Sequence, residues 1–256
     1  MVRETKKPTI FVIGDLQVKQ GISLDYIHHV GHYIARKKPD IIVQIGDWFD
    51  HAALSSYDRG TLSAEGRRLS EDLKAGNKSI AIIDSYIKSV PNYNPRRVVT
   101  LGNHEDRKQR FVNETPALQG FLGDHLYDFE QYGWEVHPFL KPCTIEGISF
   151  VHYVVAVNTG RALGNALAGR LEKVGTSFVM GHQQTFAYHE RSLQLTGDMQ
   201  LALVVGACYE HDEDYKGVQG NHHFRGCVML YEVDKGYAMH KKVTLRHMKE
   251  LYEVSK

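Results

Sequence analysis

Cysteine is scarce in this chain. Its three copies among 256 residues, Cys143, Cys208 and Cys227, are odd in number and unpaired in spacing. That excludes a disulfide-stapled scaffold and points to reduced thiols in a cytoplasmic protein. An excess of either charge is also lacking, with 31 Lys and Arg against 30 Asp and Glu. The balance argues against tight non-specific binding to duplex nucleic acid, though not against a local basic groove. No apolar run approaches the length of a membrane span. The charged segment Met1 to Pro8 passes straight into a strand, with no signal peptide. Neither a linker nor an internal repeat is visible. What remains has the composition and length of one large α/β domain with a well-buried core, spanning residues 1–256.

Four short apolar runs each end in glycine followed directly by a metal-type side chain. They close on Gly14-Asp15, Gly46-Asp47, Gly102-Asn103 and Gly181-His182, and a fifth run, Ile148 to Val151, ends in His152 without the glycine. Runs of this length, rich in Val, Ile and Phe, read as buried strands. Ligands at the carboxyl ends of parallel strands meet in one crevice, and a preceding glycine lets the backbone turn sharply there. Asp15, Asp47, Asn103, His152 and His182 offer oxygen and imidazole donors and no thiolate, a set suited to Mg, Mn, Fe or Zn. Asp47 can bridge two ions roughly 3.5–4 Å apart, the usual arrangement for in-line attack on phosphorus. Each Gly-ligand pair alone is also consistent with a plain turn. Gly220-Asn221-His222 repeats the tripeptide of Gly102-Asn103-His104 but follows no buried run, and reads as loop.

Taken in order, Asp15 with Gln17, Gly46-Asp47-Trp48-Phe49-Asp50, Gly102-Asn103-His104-Glu105, His152 and Gly181-His182-Gln183-Gln184 resemble the motifs of the calcineurin-like metallophosphoesterases. Wording such as Gly14 to Lys19 and Ser55 to Gly60 resembles members encoded by bacteriophages. The resemblance implies a four-layer α/β sandwich, two mixed β-sheets flanked by helices. It implies one ion on Asp15, Gln17, Asp47 and Gln184, and a second on Asp47, Asn103, His152 and His182. Gln17 and Gln184 stand where the family has histidine, and both substitutions fall on the first set. Either that set is retuned toward Mn or Mg, since an amide oxygen is a hard, neutral donor, or it is lost and one ion is bound. Mn is the expected metal, with Mg, Zn, Fe and Ni as alternatives. The resemblance further implies hydrolysis by a metal-activated water, with His104 as general acid oriented by Asp50.

Cations for the substrate's phosphate are sought near these strand ends: Arg107 and Arg110 at the start of an expected helix, Arg161 and Arg170 flanking a stretch of small residues. Each is otherwise a solvated surface charge. A helix is expected over Ser23 to Lys38, capped by Ser23, and another over Thr61 to Val90. Helical insertions at about 52–95 and 108–142 either wall the crevice or pack on the sheet. Leu201 to Cys208, Cys227 to Val233 and Tyr237 to Val243 read as strands of the second sheet, with a hairpin turn at Asp234-Lys235-Gly236. The loop His211-Asp212-Glu213-Asp214 with Asn221-His222-His223 is either solvated or a third ion site. The expected function is a phosphodiesterase on a nucleotide or nucleic acid. The alternatives are a phosphomonoesterase on a small ester, or a non-catalytic binding module with a degenerate first site. No membrane partner is expected, and a phage-encoded chain would act in the host cytoplasm.

Overall fold

The computed structural model describes residues 6–164, 166–213 and 216–256. The first half alternates strand and helix: β1 (Ile10–Ile13), α1 (Asp25–Lys37), β2 (Ile41–Gln44), α2 (Leu69–Lys88), β3 (Arg96–Thr100), α3 (Arg107–Glu114) and β4 (Glu135–His137). Then come β5 (Cys143–Ile145), β6 (Ile148–Phe150), α4 (Leu167–Val174), β7 (Phe178–Met180), β8 (Ala187–Ser192) and β9 (Met199–Val204). A four-residue α5 (Gly217–Gly220), β10 (Gly226–Asp234), β11 (Tyr237–Thr244) and α6 (Leu245–Glu253) complete the chain.

Two mixed sheets result, ordered β11-β10-β1-β2-β3-β4 and β5-β6-β7-β9-β8. The strands β1 to β4 run parallel, as do β6, β7 and β9. Their apolar runs are continuous because both faces are covered. Phe11 and Ile13 of β1 face a core shared with Tyr26, Val30 and Ile34 of α1, Ile80, Ile83 and Ile87 of α2, and Met248 of α6. Ile10 and Val12 point the other way, into a second core with Phe150, Val179, Leu201 and Leu203 between the sheets. Ala202 and Val204 turn outward to meet Leu171 of α4. The layers are therefore helix, sheet, sheet, helix: the four-layer sandwich.

Several boundaries differ from expectation. Helix α1 begins at Asp25 with Leu24 at its N-cap; Ser23 Oγ accepts a hydrogen bond from Asp25 N–H at 3.1 Å, one step outside. Residues 61–68 are not α-helical: Leu62–Ala64 make one 3-10 turn, Gly66 takes a left-handed φ of 74° and Leu62 is 84% exposed. The apolar period had been read across a turn. Of the stretch 108–142, α3 is helical, three 3-10 turns follow, and β4 joins the sheet.

The last two strands form the expected hairpin, with Asp234 paired to Tyr237 and positive φ at both Lys235 and Gly236. They do not belong to the second sheet, however. β10 pairs antiparallel with β1, adding β10 and β11 to the first sheet. A strand buried on both faces carries no mark of which sheet it will join. The repeat at Gly220-Asn221-His222 closes α5 rather than lying in open loop, and Asn221 is buried on Glu213.

Candidate metal centre

The carboxyl ends of β1, β2, β3, β6 and β7 open on one crevice. There the two sheets bring Asp15, Asp47, Asn103, His152 and His182 together. Asn103 Oδ1 lies 2.9 Å from His152 Nε2 and 2.8 Å from His182 Nδ1, and Asp47 Oδ2 lies 3.2 Å from His152 Nε2. Both imidazoles and two oxygens thus converge on one point. Asp15 Oδ1 accepts from the His182 backbone N–H at 3.2 Å. Its Oδ2 is buried without a partner, as are both amide atoms of Gln17. Buried polar atoms are rarely left unpaired.

Strain collects at the same place. Positive φ occurs at Gln17 (43°), Asp47 (53°), His182 (66°) and Gln184 (57°), four of the expected ligands. Such conformations persist only where surrounding structure enforces them. Of the glycines that precede the ligands, Gly46 alone turns through positive φ. The others serve as clearance. A Cβ on Gly102 would sit 2.2 Å from Asp47 Oδ1, one on Gly181 2.4 Å from Asp15 Oδ1, and one on Gly46 2.5 Å from His152 Nδ1. These three glycines make room for the ligand of a neighbouring strand, whereas Gly14 clears the Gly206 carbonyl.

A residue without an assigned role in the sequence holds the turns. The buried Glu105 carboxylate accepts N–H bonds from Asp47 (3.0 Å), Phe49 (2.8 Å) and Gly102 (2.7 Å), tying the β2 and β3 turns together. The signal was the last letter of Gly-Asn-His-Glu. His104 sits beside it, its Nδ1 2.8 Å from Asp50 Oδ1 and its Nε2 3.7 Å from Asp47 Oδ2. Lys19 Nζ reaches the other Asp50 oxygen at 3.2 Å and Glu213 at 2.7 Å.

Electrostatics follow the geometry. Burial raises Asp15 to about 7 against the pull of His152. Asp47 is held well below the usual carboxylate range because His104 and His152 outweigh its burial. Burial opposes ionisation of His104 and His152 too. Yet Asp47 and Asp50 raise His104, and Asp47 raises His152 to about 9. Burial and the neighbouring His152 lower His182 to about 4. Carboxylates and imidazoles this crowded call for a cation among them. Asp47, Asn103, His152 and His182 fit a divalent ion in donor type and convergence. The first set fits less well: Gln184 Oε1 is already hydrogen-bonded by Tyr209 Oη at 2.9 Å and by Lys216 Nζ.

The four arginines part company. Arg107 Nη1 donates to Asp50 O at 2.8 Å, and its Nη2 lies 3.3 Å from His104 Nε2. Arg110 donates to Asn103 O at 2.8 Å and is otherwise exposed. Both line a recess of about 280 Å³ with Tyr57, Phe139, Tyr153 and His182. Arg170 is buried, clamped on Gly164 O and Gln183, and lines a second recess of about 490 Å³ that shares Tyr153 and His182 with the first. Arg161 lies in an exposed loop.

Among the described residues, one other group of metal-type side chains, Glu135, His137 and Cys143, has ligand atoms within 4.8 Å of one another, and Arg96 is paired with its Glu135. In the polar loop, His211 bonds Glu213 and Arg225 pairs with Asp212; Asp214 lies outside the described residues. The three thiols are free, with Cys208 and Cys227 buried 3.4 Å apart. No helix among the described residues is long and apolar enough to cross a membrane.

The family profile described as calcineurin-like phosphoesterase matches residues 8–214. The Gene 54 protein of Mycobacterium phage L5 is 24% identical over 197 residues, 75% of each chain. That of Mycobacterium phage D29 is 25% identical over 178 residues, 68% of each. A solved dimetal phosphatase from Danio rerio aligns over 94% of this chain and 97% of its own, at 10% identity and a TM-score of 0.44.

Proposed function

Since the chain belongs to the calcineurin-like phosphoesterases, and is thus a divalent-metal-dependent hydrolase of phosphate esters, we propose that its substrate is a phosphodiester, of a nucleotide or of nucleic acid. The observation that carries this is the pair of recesses that share Tyr153 and His182 in their lining. A phosphorus held at Asn103 and His182 has room for an ester arm in each recess, which a monoester would not use. Tyr57, Phe139 and Tyr153 offer one arm apolar and aromatic surface, suited to a sugar or base.

Asp47, Asn103, His152 and His182 would hold the ion, which when bound supplies an acidified water and neutralises charge on the phosphoryl group. Mn suits this mixed oxygen and imidazole set. The chain's own groups do the rest. Asp50 accepts the His104 Nδ1 proton and fixes its tautomer, leaving Nε2 as the atom that delivers a proton to the leaving oxygen. Against its burial, Asp47 and Asp50 strengthen that imidazole's hold on its proton. Arg107 positions His104 and Asp50, and Arg110, held on Asn103 O and paired with Asp106, lines the recess where it can meet a substrate phosphate. We place the chain in a reducing cytoplasm, that of a bacterial host, on its free buried thiols and its phage relatives.

The test is hydrolysis of bis(p-nitrophenyl) phosphate and p-nitrophenyl phosphate by metal-stripped protein, with Mn, Mg, Zn and Ni restored singly. Asp47→Asn serves as blank. Turnover of the diester that returns with Mn and exceeds that of the monoester is the expected result. A monoester preference would overturn the diester reading. On DNA, a steep loss of rate between low and moderate salt that the small diester does not share would identify a nuclease.

A further inference from the structure

Gln184 can give an ion only its side-chain oxygen. That oxygen already accepts from two donors, the Tyr209 hydroxyl at 2.9 Å and the Lys216 ammonium. The same ammonium donates to Tyr209 Oη at 2.8 Å, so lysine, tyrosine and glutamine close a triangle of contacts that includes the one oxygen Gln184 could give a first ion. Tyr209 is wholly buried and fixes the other two. Lys216 is close enough to Asp15 for their charges to interact, and that carboxylate lies in the crevice with its Oδ2 unpartnered. Gln17, the other amide of the set, is buried with neither amide atom hydrogen-bonded. Both lone pairs of the Gln184 amide oxygen are thus taken, and an ammonium at this distance repels a divalent cation. One of the two imidazole-to-amide departures, Gln184, therefore falls where a side-chain cation has arrived.

We propose that the Lys216 ammonium takes the place of the first metal ion, so that the chain binds a single divalent ion, on Asp47, Asn103, His152 and His182. Resting on the phosphoesterase reading, this makes the centre a metal–lysine pair. The ion would be held by Asp47, Asn103, His152 and His182, the ammonium stands on Gln184 and Tyr209, and the second positive charge offered to a substrate's phosphate belongs to the protein. A lysine is a compact point charge on a flexible stem, able to follow a phosphoryl oxygen as it moves.

Counting ions tests this without substrate. Native mass spectrometry at saturating Mn should find one ion per chain in the wild type. It should also find one in Gln17→His/Gln184→His, where both imidazoles are restored but the ammonium remains. Adding Lys216→Met to that pair should raise the count to two, with Lys216→Gln as an alternative where methionine disturbs the loop. Any wild-type count other than one overturns the proposal. So does the same count in the histidine pair with and without the lysine. One bound ion in a chain that cleaves no phosphate ester would instead sink the diesterase reading alone.

Discussion

At the scale of single residues, the centre depends on side chains that are absent as much as on those present. Gly102 lies so close to the Asp47 carboxylate and backbone that a methyl there meets both, at 2.2 and 2.4 Å. Neither can retreat, because Glu105 pins both turns. Gly102→Ala should therefore displace Asp47, cost about 1–3 kcal/mol of stability as overpacking does, and abolish metal binding. Melting temperature and metal content would check both. The sequence made most of this legible: Asp15, Asp47, Asn103, His152 and His182 stand where the strand ends put them. It also suggested a wrong reason for the glycines, since positive φ falls on Asp47 and His182 rather than on Gly102 and Gly181. Tyr209 and Lys216 were illegible because a loop distant in sequence brings them in. No local pattern marks a lysine that will end on a glutamine 32 residues away.

At the scale of elements, burial separates two leucine- and isoleucine-rich turns that look alike in sequence. Ile83 in α2 is wholly buried against the first sheet, whereas Leu62 is 84% exposed in the turn before that helix. Ile83→Ala should cost about 2–5 kcal/mol in denaturant unfolding, and Leu62→Ala close to nothing. Equal losses would mean that residues 61–68 pack as part of the helix after all. The hairpin β10–β11 shows the matching limit of sequence reading. Its turn chemistry is local and was readable in Asp234-Lys235-Gly236, while its docking on β1 depends on a partner more than two hundred residues upstream. Alternation of Cys227 and Met229 against Val228 and Leu230 fills both cores, so either sheet would have accepted it.

For the whole molecule, the order of the strands sets an order of assembly. β1, near the start of the chain, stands in the interior of its sheet between β2 and β10. On a ribosome, β2 can cover one edge of β1 soon after it emerges. The other edge keeps four residues of unpaired amides and carbonyls until residues 226–234 leave the exit tunnel. Open edges of apolar strands recruit other chains. A chain stopped at residue 225 should accordingly go to the insoluble fraction on expression, and co-expressing residues 226–256 as a separate peptide should return part of it to solution. The nascent protein thus waits through the synthesis of more than two hundred residues for the second partner of β1, and a holdase chaperone would find that strand a ready-made client.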